Sequence, residues 1–349
     1  MVRGWAECIG PFTANEIARI LSLPLANVIF ALNQLENEGS ILRGRFTYEA
    51  DQEEFCNRRI LARIHRSTID SLRSQIQPVS PTVFVRFLLQ WQHVDLDSRL
   101  SGESGLLAVI EQLQGFEIAA GAVEGEILTS RLTDFNATAL DRLCLGGEVV
   151  WARVSGRLNE RRQHLLVTHS LRSAFSKSTP ITLALREALD WLLNKEYERT
   201  EGLSGAAEDA QEYISERGAS FLSDIVSGTK RLPSDIEEAL WTLAAQGRVT
   251  SDGLEAVRQR IRGSKRPRRS VQPNRGQGNL HRGYGSSRWS LLNPLTSVDD
   301  RTEALAKQLM LRYGILFPEL LARDSLSVRW RDLLKVLRRL EATGEVSGG

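Results

Sequence analysis

Cysteine is scarce in this chain. Cys8, Cys56 and Cys144 stand far apart, with no CxxC or Cys/His spacing that could hold zinc, and an odd count argues against a disulfide framework. That usage fits a reducing cytosol. The stretch Met1–Ile9 is too short and too polar for a signal peptide. No apolar run approaches the ~20 residues needed to cross a bilayer, so the expectation is a cytoplasmic chain with no membrane partner. A GxxxxGK(S/T) phosphate loop is missing, as is a DExx-type magnesium site, which excludes a nucleotide-driven motor within these residues. The histidines, His65, His93, His164, His169 and His281, make no metal motif. Neither a metal nor a cofactor is expected.

What is present is ordinary soluble material. The chain has 349 residues, of which 42% are hydrophobic, enough for two or three domains with real cores. A net charge of +2 names no partner, so the distribution of charge carries the information.

The strongest local signal is a repeat. Three stretches align: Ala31-Leu-Asn-Gln-Leu35 to Gly39-Ser-Ile41, Ala239-Leu-Trp-Thr-Leu243 to Gly247-Arg-Val249, and Val336-Leu-Arg-Arg-Leu340 to Gly344-Glu-Val346. Each is an amphipathic helix stopped by a glycine suited to the left-handed position, then a β-branched residue that can open a strand. Upstream of the first copy, Thr13-Ala-Asn-Glu16 forms a capping box, and Leu23-Pro24 makes a turn. Helix, turn, helix, glycine and short strand describe a winged helix. The second copy opens with Phe221–Ile225 and Leu232-Pro233. The third has Ala304–Tyr313 and Phe317–Leu321 before its helix at Trp330–Thr343.

The expected fold is therefore mainly α with short β wings, in tandem winged-helix domains around a helical block. A winged helix spans 1–52, and a mostly helical block with a small strand region spans 53–194. A second winged helix spans 195–262, a basic flexible linker 263–297, and a third winged helix, cut short in its wing, 298–349. Within the block, helical spacing predicts helices at Glu54–Ile76, Val83–Val94, Leu106–Leu113, Glu117–Leu132 and Ala137–Cys144. Strands are expected at Glu148–Val154 and Leu165–Thr168. The run from Arg258 to Arg288 has many arginines, no acid, and Gly, Pro, Ser and Asn between them, which reads as an unfolded basic tether.

Several cation sets could meet phosphate. On Trp330–Thr343, Arg331, Lys335, Arg338 and Arg339 share a face apart from the core leucines, as a reading helix requires. The alternative is a solvated face. On Glu54–Ile76, Arg59, Arg63, Arg66 and Arg73 recur at helical spacing with Asp70. They form either a phosphate-facing row or an ion-pair lattice that includes Arg66–Asp70. Arg43 and Arg45 follow Gly39 in the first wing. Lys265, Arg266, Arg268 and Arg269 add basic charge in the linker. The acidic helices of the first two copies, with Glu36 and Glu38 and with Asp235, Glu237 and Glu238, would repel DNA and are expected to face protein. Glu117 with Glu126 is the one carboxylate pair that could be given a catalytic reading, against the alternative of two solvated side chains.

Several phrases resemble the C-terminal region of bacterial Lhr (large helicase-related) helicases. They are Arg59-Ile-Leu-Ala-Arg-Ile-His-Arg66 running through Leu72-Arg73 and Ile76-Gln-Pro-Val79 to Arg86–His93; Gln112-Leu-Gln-Gly-Phe-Glu117; Leu140–Trp151; Arg217–Phe221; Asp252-Gly253; Arg288-Trp-Ser290; Trp330–Leu334; and Arg338-Arg-Leu-Glu341. The resemblance runs in one order along nearly the whole chain. It implies a repair protein that moves on single-stranded DNA using ATP and Mg²⁺ held in an N-terminal motor. It also implies stacked winged helices followed by a β-barrel. No motor is encoded here, so no ATPase is expected, and a separate motor polypeptide becomes a candidate partner beside single-stranded or duplex DNA.

The region is also similar to AlkZ/YcaQ-type DNA glycosylases. Their Gln-x-Gln or Gln-x-Asp motif would fall at Glu117 and Ala119, where this sequence departs from the pattern. The chain ends at Gly348-Gly349, inside the expected third wing, so that wing is expected cut short and the barrel absent. Three readings follow: a DNA-binding segment, a remnant glycosylase using Glu117, and a scaffold whose winged helices bind protein.

Overall fold

Thr13 shows why the first helices form where they do. Its hydroxyl accepts the Glu16 N–H and the Glu16 carboxylate accepts the Thr13 N–H at 2.8 Å, closing the capping box. The computed structural model describes residues 1–48, 51–154, 175–193, 203–263, 287–293, 301–326 and 328–349. Two units divide it: Met1–Val79 with Leu337–Gly349, and Ser80–Val336.

The first unit opens with α1 (Val2–Ala6), β1 (Phe12–Thr13), α2 (Ala14–Leu21), α3 (Leu25–Asn37), β2 (Ile41–Gly44), β3 (Glu54–Asn57) and α4 (Arg58–Gln75). The strands make an antiparallel sheet in the order β1-β3-β2, with Phe12 opposite Phe55 and Ile41 opposite Asn57. Ile17, Val28, Leu32 and Ile41 fill the core beneath it. Glu54 to Asn57 were expected to open a helix. They form a strand instead, because Phe55 completes the core and Glu54 accepts the Phe46 and Thr47 N–H groups at 2.6 and 2.9 Å, folding the wing back. The Thr47 hydroxyl bond is the main reason that the Glu54 carboxyl is held below its ordinary range. The helix starts at Arg58, capped by the Asn57 side chain, and stops before Pro78.

The second unit continues with α5 (Pro81–Trp91), α6 (Gly102–Leu113), β4 (Ile118–Ala119), a π-helical turn at Val123–Leu128, α7 (Ala137–Gly146), β5 (Val149–Ala152), β6 (Pro180–Leu185) and α8 (Leu189–Leu192). These include a sheet in the order β4-β6-β5. The stretch expected as a helical block thus contains another copy of the winged-helix pattern, with α6, α7 and the β5–β6 pair in the usual places. Its signature, Ala139-Leu140, Leu143, Gly147 and Val149, has the same spacing as the other three copies. Gly39, Gly147, Gly247 and Gly344 all have left-handed φ angles, of 72°, 82°, 72° and 81°. A side chain there would clash with its own backbone. Gly147→Ala is therefore expected to cost about 1–2 kcal/mol, read by urea unfolding; an unchanged midpoint would contradict the role assigned to this glycine. The expected helix at Glu117–Leu132 is replaced by β4 and the π-helical turn, so Glu117 and Glu126 do not share a helix face. The strand expected at Leu165–Thr168 lies outside the described residues.

The next copy is α9 (Gly205–Arg217), β7 (Ser220–Phe221), α10 (Leu222–Thr229), α11 (Pro233–Ala245), β8 (Val249–Ser251), α12 (Glu255–Gly263) and β9 (Arg288–Leu291), with strand order β7-β9-β8. This pairing corrects the domain boundary. Arg288–Leu291 is antiparallel to Val249–Ser251, so this winged helix includes Arg288–Leu291 and does not end at residue 262. Trp289 supplies the reason: its indole is buried against Trp241 and Trp151. Last come α13 (Arg301–Tyr313), α14 (Pro318–Leu321) and α15 (Trp330–Thr343), with no wing strand after Gly344 among the described residues.

Two winged helices of the second unit share one core. β5 lies against β8, with the Trp151 indole donating to Ser251 Oγ at 3.2 Å and Thr250 Oγ1 donating to the Trp151 carbonyl at 2.6 Å. Arg258 of α12 crosses the same junction. It donates to Glu124 of the π-helical turn at 2.7 and 2.9 Å and to Asp141 of α7 at 2.8 Å. Burial alone would lower the pKa of its guanidinium, but the bonds to Glu124 and Asp141 outweigh it and hold the group more firmly charged than usual.

Candidate nucleic-acid interface

α4 is the most exposed long helix of the first unit. It runs for 18 residues, and only Ile60 is buried. Arg59, Arg63 and Arg66 are exposed on one face, and their side chains form no ion pair among the described residues. Asp70 pairs with Arg73 at 3.8 Å, so the lattice expected between Arg66 and Asp70 is replaced by one further along the helix. Arg73 is also committed to Glu341.

On α15, Leu333, Val336 and Leu340 are buried, while Arg331, Lys335, Arg338 and Arg339 are exposed. Apolar residues three and four apart take one side of the helix and leave the cations the other. Asp332 is the local acid. It meets Arg329 at 2.7 Å and Lys335 at 3.8 Å and does not touch Arg331.

The first wing places its two arginines differently. Arg43 meets Glu36 at 2.8 Å and Glu53 at 3.7 Å, donates to Asn33 at 2.5 Å, and lies over the Phe55 ring. Its charge is spent within the protein. Arg45, on the following loop, is exposed. Lys265, Arg266, Arg268 and Arg269 lie outside the described residues.

Sequence reasoning missed how acids and bases meet across the chain. Glu238 and Glu237 of α11 face Arg260 of α12 at 2.7 and 3.9 Å, and Arg260 also sits over the Trp241 ring. The acidic helix of that copy is met by its own wing. Arg258 and Arg260, read in sequence as members of a basic tether, belong to a packed helix. No spacing rule could have found their partners, because Arg258 bonds residues more than a hundred positions earlier. The reading helix of the first copy, α3, exposes Leu25, Ile29 and Phe30 and carries no cation.

Glu117 holds the chain together locally. Its Oε1 accepts the Val154 N–H at 2.5 Å, and its own N–H donates to Ser325 Oγ at 3.0 Å. Beside it, Gln114 is buried, donating to Gln308 at 2.9 Å and accepting the Leu185 N–H at 3.2 Å. This loop is thus fixed in place by α13 and β6. Burial pushes the Cys144 thiol up to about 12, which leaves it without nucleophilic character at neutral pH. Among the described residues no group of His, Cys, Asp and Glu is placed to hold a metal, and no helix is long and apolar enough to cross a membrane.

Comparison with known proteins agrees with this architecture. Two family models described as "Large helicase-related protein, winged-helix domain", the third and fourth of that protein, match residues 79–170 and 296–349. The first covers the stretch from α5 to β5 of the winged helix found within the expected helical block. A relative described as "Lhr helicase/ probable uracil glycosylase" from Mycolicibacterium smegmatis is 29% identical over 373 residues, covering 100% of this chain and 23% of its own length. An "Lhr helicase/uracil glycosylase" from Escherichia coli is 26% identical over 368 residues, covering 97% of this chain and 23% of its own. The chain spans about a quarter of the length of the curated relatives that it matches. The likeness to the winged-helix region of the large helicase-related proteins therefore holds along the sequence, from the first copy to the last.

Proposed function

We propose that this chain, which carries the C-terminal winged-helix region of a large helicase-related protein, is a DNA-binding segment acting in DNA repair. The observation that carries the reading is cationic. Arg59, Arg63 and Arg66 on α4 and Arg331 on α15 are exposed, have no ion pair among the described residues, and lie on winged-helix elements or directly beside them. Lys335, Arg338 and Arg339 continue the α15 set. Arg45, with Lys265, Arg266, Arg268 and Arg269 of the basic run, adds a sequence-independent attraction. Such contacts release counterions from DNA and bind in a salt-dependent way. Arg43 contributes to the fold of the wing, through Glu36 and Phe55.

The sequence contains no GxxxxGK(S/T) loop to hold ATP and Mg²⁺, so no step of the proposed function passes through them. A motor, on a separate polypeptide or in further sequence, would supply translocation.

The test is a salt titration of binding to a single strand and to its duplex. Replacing Arg338 and Arg339 together with alanine should lower the slope of log affinity against log salt by about two units, one for each phosphate contact, and weaken all sequences alike. Neutralising Asp235 should leave the slope as it was. An unchanged slope in the arginine variant would make α15 a solvated face and move the reading toward a protein-binding scaffold, for which the exposed Leu25, Ile29 and Phe30 of α3 are the natural surface.

A second reading, base excision through Glu117, draws on the uracil glycosylase named for both relatives. The bond that the Glu117 carboxylate accepts from the Val154 N–H favours a structural role for it. Release of uracil from a uracil-containing oligonucleotide, abolished by Glu117→Gln in a protein that keeps its unfolding midpoint, would reverse that judgement.

A further inference from the structure

The arginine row of α4 does not end as periodicity suggests. Arg73 lies about two helical turns beyond Arg66 on the same face, yet its guanidinium is bound to the protein. Its Nε donates to one oxygen of Glu341 at 2.8 Å and its Nη2 to the other at 2.5 Å. This two-pronged arrangement is the strongest and most directional form of the arginine–carboxylate contact. The Glu341 side chain is only 10% exposed, against 44% for Arg73. A carboxylate so placed also accepts the Gly348 N–H at 3.1 Å, which ties down the end of the chain. The Arg73 hydrogen bonds are the main reason that the Glu341 carboxyl is held below its ordinary range, and the charge of Arg338, one turn earlier on α15, acts on it as well.

A guanidinium committed in this way has its Nε and Nη2 donors occupied by the protein. What it does is fix the C-terminal end of α4 against the end of α15. The free arginines Arg59, Arg63 and Arg66 stand on one of those helices, and Arg338 stands beside the joint on the other. We propose that Arg73 and Glu341 are positioning residues whose paired side chains set the α4 arginine row and Arg338 in register as one track for the phosphate backbone of DNA. The proposal rests on the DNA-binding reading above and adds a geometric condition to it: the two cation sets act together only while the joint is closed.

The sign of the charge change makes this testable with the whole chain. Glu341→Arg adds positive charge, and by attraction alone it would tighten binding. With the joint broken, it is expected to weaken binding to a DNA duplex by about 3–10-fold and to lower the salt slope by about one unit. Glu341→Gln, which alters volume little, should act in the same direction. The charge swap Arg73→Glu with Glu341→Arg has the parent's net charge and can re-form the pair, so affinity should return to within about twofold of the parent. Circular dichroism reports whether each variant keeps its helices, and the swap decides the matter if a single substitution unfolds the protein. Binding that is unchanged or tighter in Glu341→Gln or Glu341→Arg, or a folded swap that fails to recover, overturns the positioning role while leaving DNA binding intact. A parent with no affinity for duplex or single strand overturns both.

Discussion

Trp151→Ala should destabilise the second unit by about 3–5 kcal/mol, the range for removing a fully buried large aromatic side chain. Trp151 is completely buried, at 0% exposure. Its ring centroid lies 5.9 Å from Phe175, 6.4 Å from Trp241 and 6.5 Å from Trp289. These rings come from different elements. Trp151 is on β5 of one winged helix, while Trp241 on α11 and Trp289 on β9 belong to the next. The loss is more than a cavity, because the substitution also removes the donor to Ser251 Oγ and leaves a buried hydroxyl with one bond fewer. Urea unfolding followed by tryptophan fluorescence and circular dichroism reads the effect. Both probes should shift together, since the two winged helices share this core. A shift below about 1 kcal/mol, or a transition confined to one probe, would mean that the two cores are separate, since small changes are typical of positions outside a packed core.

Arg312→Met should have an effect of the same size by a different mechanism. Arg312 and Asp324 form an ion pair whose side chains are 1% and 0% exposed. The guanidinium also donates to the Gln114 carbonyl at 2.5 Å and lies over the Phe116 ring, so it joins α13 to the loop after α6. The Tyr313 hydroxyl donates to Asp324 at 2.8 Å. Burial first, and the Asp324 charge second, raise the pKa of that hydroxyl well above its ordinary value and keep it a donor. Removing Arg312 alone leaves a buried carboxylate without its cation, which costs about 3–5 kcal/mol. Replacing both partners with apolar residues, Arg312→Met with Asp324→Leu, should recover most of the loss, because buried pairs often contribute little more than well-packed apolar groups. The thermal midpoints of the two single variants and the double variant check this. A double variant less stable than either single one would show that the bonds to Gln114 and Tyr313, more than the ion pair, hold the joint.

Much of the winged-helix pattern was legible in the sequence. The capping box at Thr13 and Glu16, the proline turns and the helix ending at each glycine depend on bonds between residues a few positions apart. Periodicity and residue type report such bonds directly. The same signal is present at Ala139–Val149, but there the expected helix before α7 is replaced by a π-helical turn and the strand that completes the sheet lies at Pro180–Leu185. In the candidate interface, the rows on α4 and α15 followed from helical spacing. Which of their arginines are free did not. Arg73 and Arg43 looked the same as Arg66 and Arg45 in the sequence, and they differ only in the carboxylates that the fold brings to them.

The sequence by itself determined the capping box at Thr13, the left-handed glycines that stop the repeated helices, the helical spacing of the arginine rows and the lack of a phosphate-binding loop. These follow from local sterics, capping and side-chain chemistry. The tertiary structure alone decided that Arg288–Leu291 closes the wing opened by Val249–Ser251, that Arg258 and Arg260 serve the fold, and that Glu341 holds Arg73. The physical reason is one of range. A strand pair or a buried ion pair is stabilised by a partner that chain folding brings near, and the distance along the sequence carries no record of it.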